Sequence, residues 1–178
     1  MTSFRFGWID YFGKNNPSVR LAQYIFRADM DRDGIRLSPH AQRGLSEAIV
    51  LLNAQRLFCL CHCDITLRNA IWDGVEPHLI DWALSRFCHP ASDVANVLFW
   101  LTECGMIDSA LAEFRKAETR YQEINFSLID ILPFYLGQRY IEFGRIRGDE
   151  YIQHGMKVLG MIGRSDQIKN ILQRRIIS

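Results

Sequence analysis

The sequence predicts an α+β chain that is mainly helical, and three observations carry this. Apolar residues recur at helical spacing on both sides of one short segment, that segment breaks into brief apolar runs about a turn, and helical periodicity prevails beyond Asp93. The 178 residues suit one domain, residues 1–178, and a 48 % hydrophobic content supplies its core. Residues 1–37 read as a remnant or linker segment ahead of the main body.

The stretch to about Asn16 is aromatic and punctuated by glycine; Pro17 and Ser18 then introduce a helix with Val19, Ala22, Ile25 and Phe26 on one face. Asp29 to Gly34 is polar and reads as a loop. Ser38 followed by Pro39 is a helix start, and Leu45, Ala48, Ile49 and Leu52 recur at i, i+3, i+4 and i+7 as far as about Gln55. Between Leu57 and Asp81, Ala70-Ile71-Trp72 and His78-Leu79-Ile80 flank the turn sequence Asp73-Gly74-Val75-Glu76-Pro77, the signature of a β-hairpin. Past Asp93, Val94, Val97, Leu98 and Leu101 form one helical stripe, with Ser92 or Asp93 as its N-cap, and Leu111 and Phe114 begin another. Pro133 is expected to break or kink the next helical segment, and arginine-rich helices finish the chain. The basic run from Arg164 to Arg175 carries Ile168, Ile171 and Leu172 at helical spacing, as on the solvated side of an amphipathic helix.

Lysine plus arginine number 21 against 20 acidic residues, so a net charge of +1 offers no field for nucleic acid or an anionic membrane; neither partner is expected. No apolar run approaches the ~20 residues of a membrane span, and the start Met-Thr-Ser-Phe-Arg-Phe lacks a signal-peptide core, which points to the cytoplasm. Five cysteines is an odd number; Cys59, Cys61 and Cys63 alternate along one segment, an arrangement suited to reduced structural thiols. Neither these with His62, nor His78, Cys88 and His89, have the convergent spacing of a metal centre.

The chemistry-bearing segment is Leu60 to Asn69, which reads H-x-D-x-x-x-x-N at His62, Asp64 and Asn69 and is followed by Ile80-Asp81-Trp82. If Trp72 pairs with His78 across the five-residue turn, Asn69 and Asp81 stand directly opposite each other. Opposed side chains share a sheet face with Cβ atoms ~5 Å apart, close enough for an amide oxygen and a carboxylate to share a hard cation. Asp64 lies in the loop feeding the hairpin, where a carboxylate could meet a hydroxyl about to attack a metal-bound phosphate.

This arrangement resembles the catalytic loop of kinases. With Ile80-Asp81-Trp82 and the following Asp93-Val94-Ala95, it looks specifically like the aminoglycoside phosphotransferase and choline kinase family, whose fold is protein-kinase-like; the likeness is strongest from Phe58 to Trp100. The resemblance implies that Asp64 is the catalytic base, that Asn69 and Asp81 are the magnesium ligands, and that His62 and Asp93 support the catalytic loop. It further implies Mg²⁺ with ATP or another nucleoside triphosphate, and a small-molecule hydroxyl as acceptor. Cys63 stands where the family usually has glycine.

The nucleotide-gripping features of a kinase N-lobe are missing from the pattern. Only Lys14 precedes the catalytic loop and no G-x-G occurs, so the expectation is a C-lobe alone, with a second copy or a partner chain covering the face where an N-lobe would pack. The function expected is transfer of a terminal phosphate from a nucleoside triphosphate to a small-molecule hydroxyl. The alternatives are an inactive pseudokinase serving as a binding or regulatory module and, further off, a metal-binding helical regulator.

Overall fold

The computed structural model describes residues 34–55, 57, 59–124 and 127–162. The helix expected from Pro17 and the basic run from Arg164 lie outside these residues.

Helix α1 spans Pro39–Gln55. It starts where Ser38 can cap it, the hydroxyl oxygen accepting the Ala41 N–H at 3.2 Å, and it buries Ala41, Ala48 and Leu52 along one face. Four three-residue strands follow: β1 (Cys59–Cys61), β2 (Ala70–Trp72), β3 (Pro77–Leu79) and β4 (Arg86–Cys88). They form two antiparallel pairs, β1 with β4 and β2 with β3. The pairing of Cys59–Cys61 with Arg86–Cys88 was not foreseen; it brings the two ends of the loop-and-hairpin excursion together, so the segment between is held at its base. Cys63 does not share a strand with Cys59 and Cys61, because the chain has left β1 by then.

The hairpin register is one residue off the expected one. Ala70 pairs with Leu79, Ile71 with His78 and Trp72 with Pro77, leaving a four-residue turn, Asp73 to Glu76. Asp73 sets this length: its Oδ1 accepts the N–H groups of Val75 and Glu76 at 2.8 and 2.9 Å, and its Oδ2 meets His78 Nε2 at 2.7 Å.

The helical body consists of α2 (Ala91–Glu103), α3 (Ile107–Gln122), α4 (Leu128–Arg147) and α5 (Asp149–Leu159). Helix α4 is central and touches each of the other four helices. Its buried residues, among them Leu128, Ile131, Leu132, Leu136, Tyr140 and Ile141, run round the helix as far as Ile141, and its C-terminal end is exposed. Pro133 lies inside α4 and does not break it, so the first of the two expected outcomes, a break rather than a kink, is not what the helix does. The lost hydrogen bond is tolerated because the buried residues around Pro133 fix this part of the helix. Its first turn is capped from α3, Glu118 Oε2 accepting the Leu128 N–H at 2.8 Å. Gly137 on α4 and Gly155 on α5 let the two backbones meet; a Cβ at position 155 would lie 2.6 Å from the Gly137 carbonyl oxygen.

His89, between β4 and α2, is 1 % exposed, and its Nδ1 accepts the Ala91 N–H at 3.1 Å. Burial pushes its pKa down to about 4 from 6.5. A histidine depressed in the folded state contributes stability above its unfolded value, and that contribution is lost as pH falls from about 6.5 through about 4. Urea unfolding should therefore show a loss of about 3 kcal/mol specific to this site at acid pH, at about 1.4 kcal/mol per unit. A His89→Gln variant should lack that part of the acid dependence; an unchanged slope would contradict the assignment.

Candidate active site

The loop after β1 is built around the backbone of His62, Cys63 and Asp64. The partly buried Asp93, in the first turn of α2, sends its carboxylate to this loop: Oδ2 accepts the His62 N–H at 2.9 Å and Oδ1 accepts the Cys63 N–H at 2.8 Å. It is not the N-cap of its helix, which begins two residues earlier at Ala91 after Pro90, and Ser92 makes no cap either. Burial pushes the Asp93 carboxyl above its ordinary value, while the two backbone N–H groups pull the other way. Cys63 has φ 63°, a left-handed conformation that costs a side chain of the order of 1 kcal/mol and accounts for glycine being usual here in the resembling family.

His62, 1 % exposed, joins the loop to the hairpin. Its Nδ1 accepts the Asp64 N–H at 3.3 Å, which places the proton on Nε2; that N–H donates to the Ile80 carbonyl at 2.8 Å. The Trp82 ring lies 4.8 Å away, centroid to centroid. One neutral imidazole thus fixes the backbone at Asp64 and at the residue before Asp81.

Asp64 is held through both oxygens. Asn69 Nδ2 donates to Oδ2 at 2.9 Å and to the Asp64 carbonyl at 2.9 Å, and Arg139 from α4 donates to Oδ1 at 3.0 Å. Arg139 is steadied in turn by Glu142 at 3.4 Å. The side chains of Asp64 and Arg139 remain 29 % and 21 % exposed, so the carboxylate is fixed yet reachable. Nothing in the sequence pointed to Arg139, which lies 75 positions from Asp64 and meets it only because α4 packs beneath the loop.

Asn69 and Asp81 do not face each other across the ladder. With the observed register Asn69 stands opposite Ile80, whose N–H donates to the Asn69 carbonyl at 2.9 Å. Asp81 follows the ladder in a left-handed conformation, φ 57° and ψ 68°, and caps a short helical turn over Trp82–Leu84, its carboxylate accepting the Ala83 N–H at 3.4 Å. Strand alternation therefore does not govern where its carboxylate lies. Among the described residues, no three His, Cys, Asp or Glu side chains converge on a metal-binding geometry. The oxygens present still suit a hard cation. Asn69 spends its amide nitrogen on Asp64, leaving its side-chain oxygen to accept, and the exposed Asp81 carboxylate has one long contact, to the Ala83 N–H, among the described residues.

Beside Asp64 opens a cavity of about 550 Å³, walled by Trp100, Phe143 and Ile146 and edged by Arg68 and Arg147. Its aromatic wall is rigid: Phe143 packs edge-on against Trp100 at 5.4 Å and against Phe99 at 5.1 Å, and Phe99 meets the fully buried Tyr140 at 5.0 Å. His78, by contrast, pairs with Asp73 on the hairpin turn, away from this constellation. All five cysteines are free thiols; the Cys63 and Cys88 sulfurs lie 3.6 Å apart, and hydrogen bonding to Cys88 together with burial raises the Cys63 pKa. No helix among the described residues is long and apolar enough to cross a membrane.

Compared with known proteins, the chain matches no curated protein and no solved structure. The sequence model of the phosphotransferase enzyme family does match, over residues 10–124. That span is more than half of the chain, holds the whole loop-and-hairpin constellation, and reaches well ahead of the catalytic-loop motif. The chain belongs to the phosphotransferase enzyme family.

Proposed function

We propose that the protein transfers the terminal phosphoryl group of ATP, or another nucleoside triphosphate, to the hydroxyl of a small molecule. The observation that carries this reading is the Asp64 carboxylate, gripped through one oxygen by Asn69 and through the other by Arg139, at the mouth of a ligand-sized cavity. In the reaction the acceptor oxygen forms a bond to the γ-phosphorus, the bond from that phosphorus to the β–γ bridging oxygen breaks, and the nucleoside diphosphate leaves. Asp64 orients the hydroxyl and receives its proton. Arg139 is a positioning residue, and His62 and Asp93 keep the loop and the hairpin in register with each other.

Asn69 and Asp81 are the residues that would hold Mg²⁺, a role resting on the family match and on their uncommitted oxygens. When bound, the ion supplies neutralisation of the phosphate charge as the transfer proceeds. The fold belongs with this reading as a protein-kinase-like C-lobe. Ile71, Trp72, Trp82, Leu84 and Phe87, on the strands and the helical turn between them, are exposed, and a second copy or a partner chain covering this region would complete the nucleotide enclosure. Free thiols throughout suit a reducing cytoplasm.

The reading is tested by incubating the full chain with magnesium, γ-labelled ATP and a panel of hydroxyl compounds. Label appearing on one of them, and not in the Asp64→Asn variant, supports it; label moving only to water at the same rate in both proteins would refute it.

A further inference from the structure

The cavity beside Asp64 has a definite electrostatic character. Two guanidinium groups, Arg68 and Arg147, stand at its edge, and neither has a carboxylate partner among the described residues. The Arg147 guanidinium lies over the Phe143 ring, 5.5 Å from its centroid, so the charged group is seated on the aromatic wall. The only acid among the described lining residues is Asp64, whose charge is met by Arg139 at 3.0 Å. The remaining wall, Trp100, Phe143 and Ile146, is apolar.

Building on the proposed phosphotransferase activity, we infer that this cavity is the acceptor site and that its acceptor is an anionic hydroxyl compound: an aromatic or aliphatic body bearing a carboxylate or phosphate. A cationic alcohol would bring its charge against two arginines that have no carboxylate partner among the described residues, and among the described lining residues it would find no carboxylate but Asp64, already met by Arg139. An anionic one gains a charge-assisted hydrogen bond from a planar donor fork, while its body covers Trp100 and Phe143 and its hydroxyl can approach Asp64. Arg68 lies on the catalytic loop itself, between Asp64 and Asn69, so the group that reads the acceptor's charge and the group that takes its proton share one rigid turn. The volume of about 550 Å³ is that of a site for a small metabolite.

Two phenols of equal shape and opposite charge, 4-hydroxyphenylacetate and tyramine, test this by ligand-observed NMR titration of the full chain. The acid should bind at least about tenfold more tightly, about 1.4 kcal/mol, and the Arg68→Gln/Arg147→Gln double variant should lose that preference. Equal affinity, a preference for tyramine, or no binding of either at millimolar concentration would overturn the inference. Calorimetry of magnesium–ATP on the same two proteins separates the sources of negative charge: an ATP affinity within a few-fold of wild type leaves the arginines to the acceptor, whereas a parallel loss assigns them to the nucleotide and overturns the inference. Failure of the phosphotransferase reading shows independently, as absent ATP binding in the wild type, because the choice between the two phenols is measured without nucleotide.

Discussion

Replacing Asp64 by Asn is expected to lower the rate of phosphoryl transfer by about 1,000-fold, the scale of a lost general base, while the protein stays folded. The amide keeps the volume of the carboxylate and an oxygen that can accept from Asn69 Nδ2, so the loop retains its shape. What it loses is the capacity to take the acceptor's proton, together with the ion pair to Arg139. That pair is part-exposed and contributes no more than about 1 kcal/mol to stability. Turnover and thermal unfolding measured on the same preparation separate the two: activity should collapse with melting nearly unchanged. A variant with wild-type turnover would remove Asp64 from the chemistry.

Replacing Asp93 by Ala should have the largest effect on stability. Its two carboxylate oxygens are the acceptors for the backbone N–H groups of His62 and Cys63, and truncation leaves both without a partner beneath the catalytic loop. At ~1–3 kcal/mol for each orphaned donor, a loss of about 3 kcal/mol is expected, or roughly 10 °C in melting temperature for a chain of this length. Asp93→Asn, which keeps one acceptor, should lose about half as much. Loss below about 1 kcal/mol in the alanine variant would mean that the loop is held by something else.

The parts of this structure that were legible in the sequence are those fixed by local chemistry. Ser38 and Pro39 start α1 where the cap predicts, and the stripe of Ala48 and Leu52 is buried as its spacing requires. The H-x-D-x-x-x-x-N spacing likewise brought His62, Asp64 and Asn69 to one place, because the intervening turn leaves them little freedom. The hairpin register was not legible. Ile71 and Trp72 are both exposed, at 53 % and 64 %, so no buried face sets the phase of the strand, and one Asx turn at Asp73 decides it. Pro133 shows the opposite case: its local rule allows a break, but Ile131, Leu132, Phe134 and Leu136 around it are fully buried and their packing carries the helix through. Arg139 carried no signal at all, since only the packing of α4 against the loop gives that arginine its meaning.

The central claim is that the loop and the hairpin together hold a metal-bound nucleotide, and calorimetry of ATP with and without magnesium, on the wild type and on Asp81→Ala, tests it most directly. The account predicts binding that requires magnesium and vanishes in the variant. Absence of binding at millimolar ATP, or binding indifferent both to magnesium and to the substitution, would contradict it.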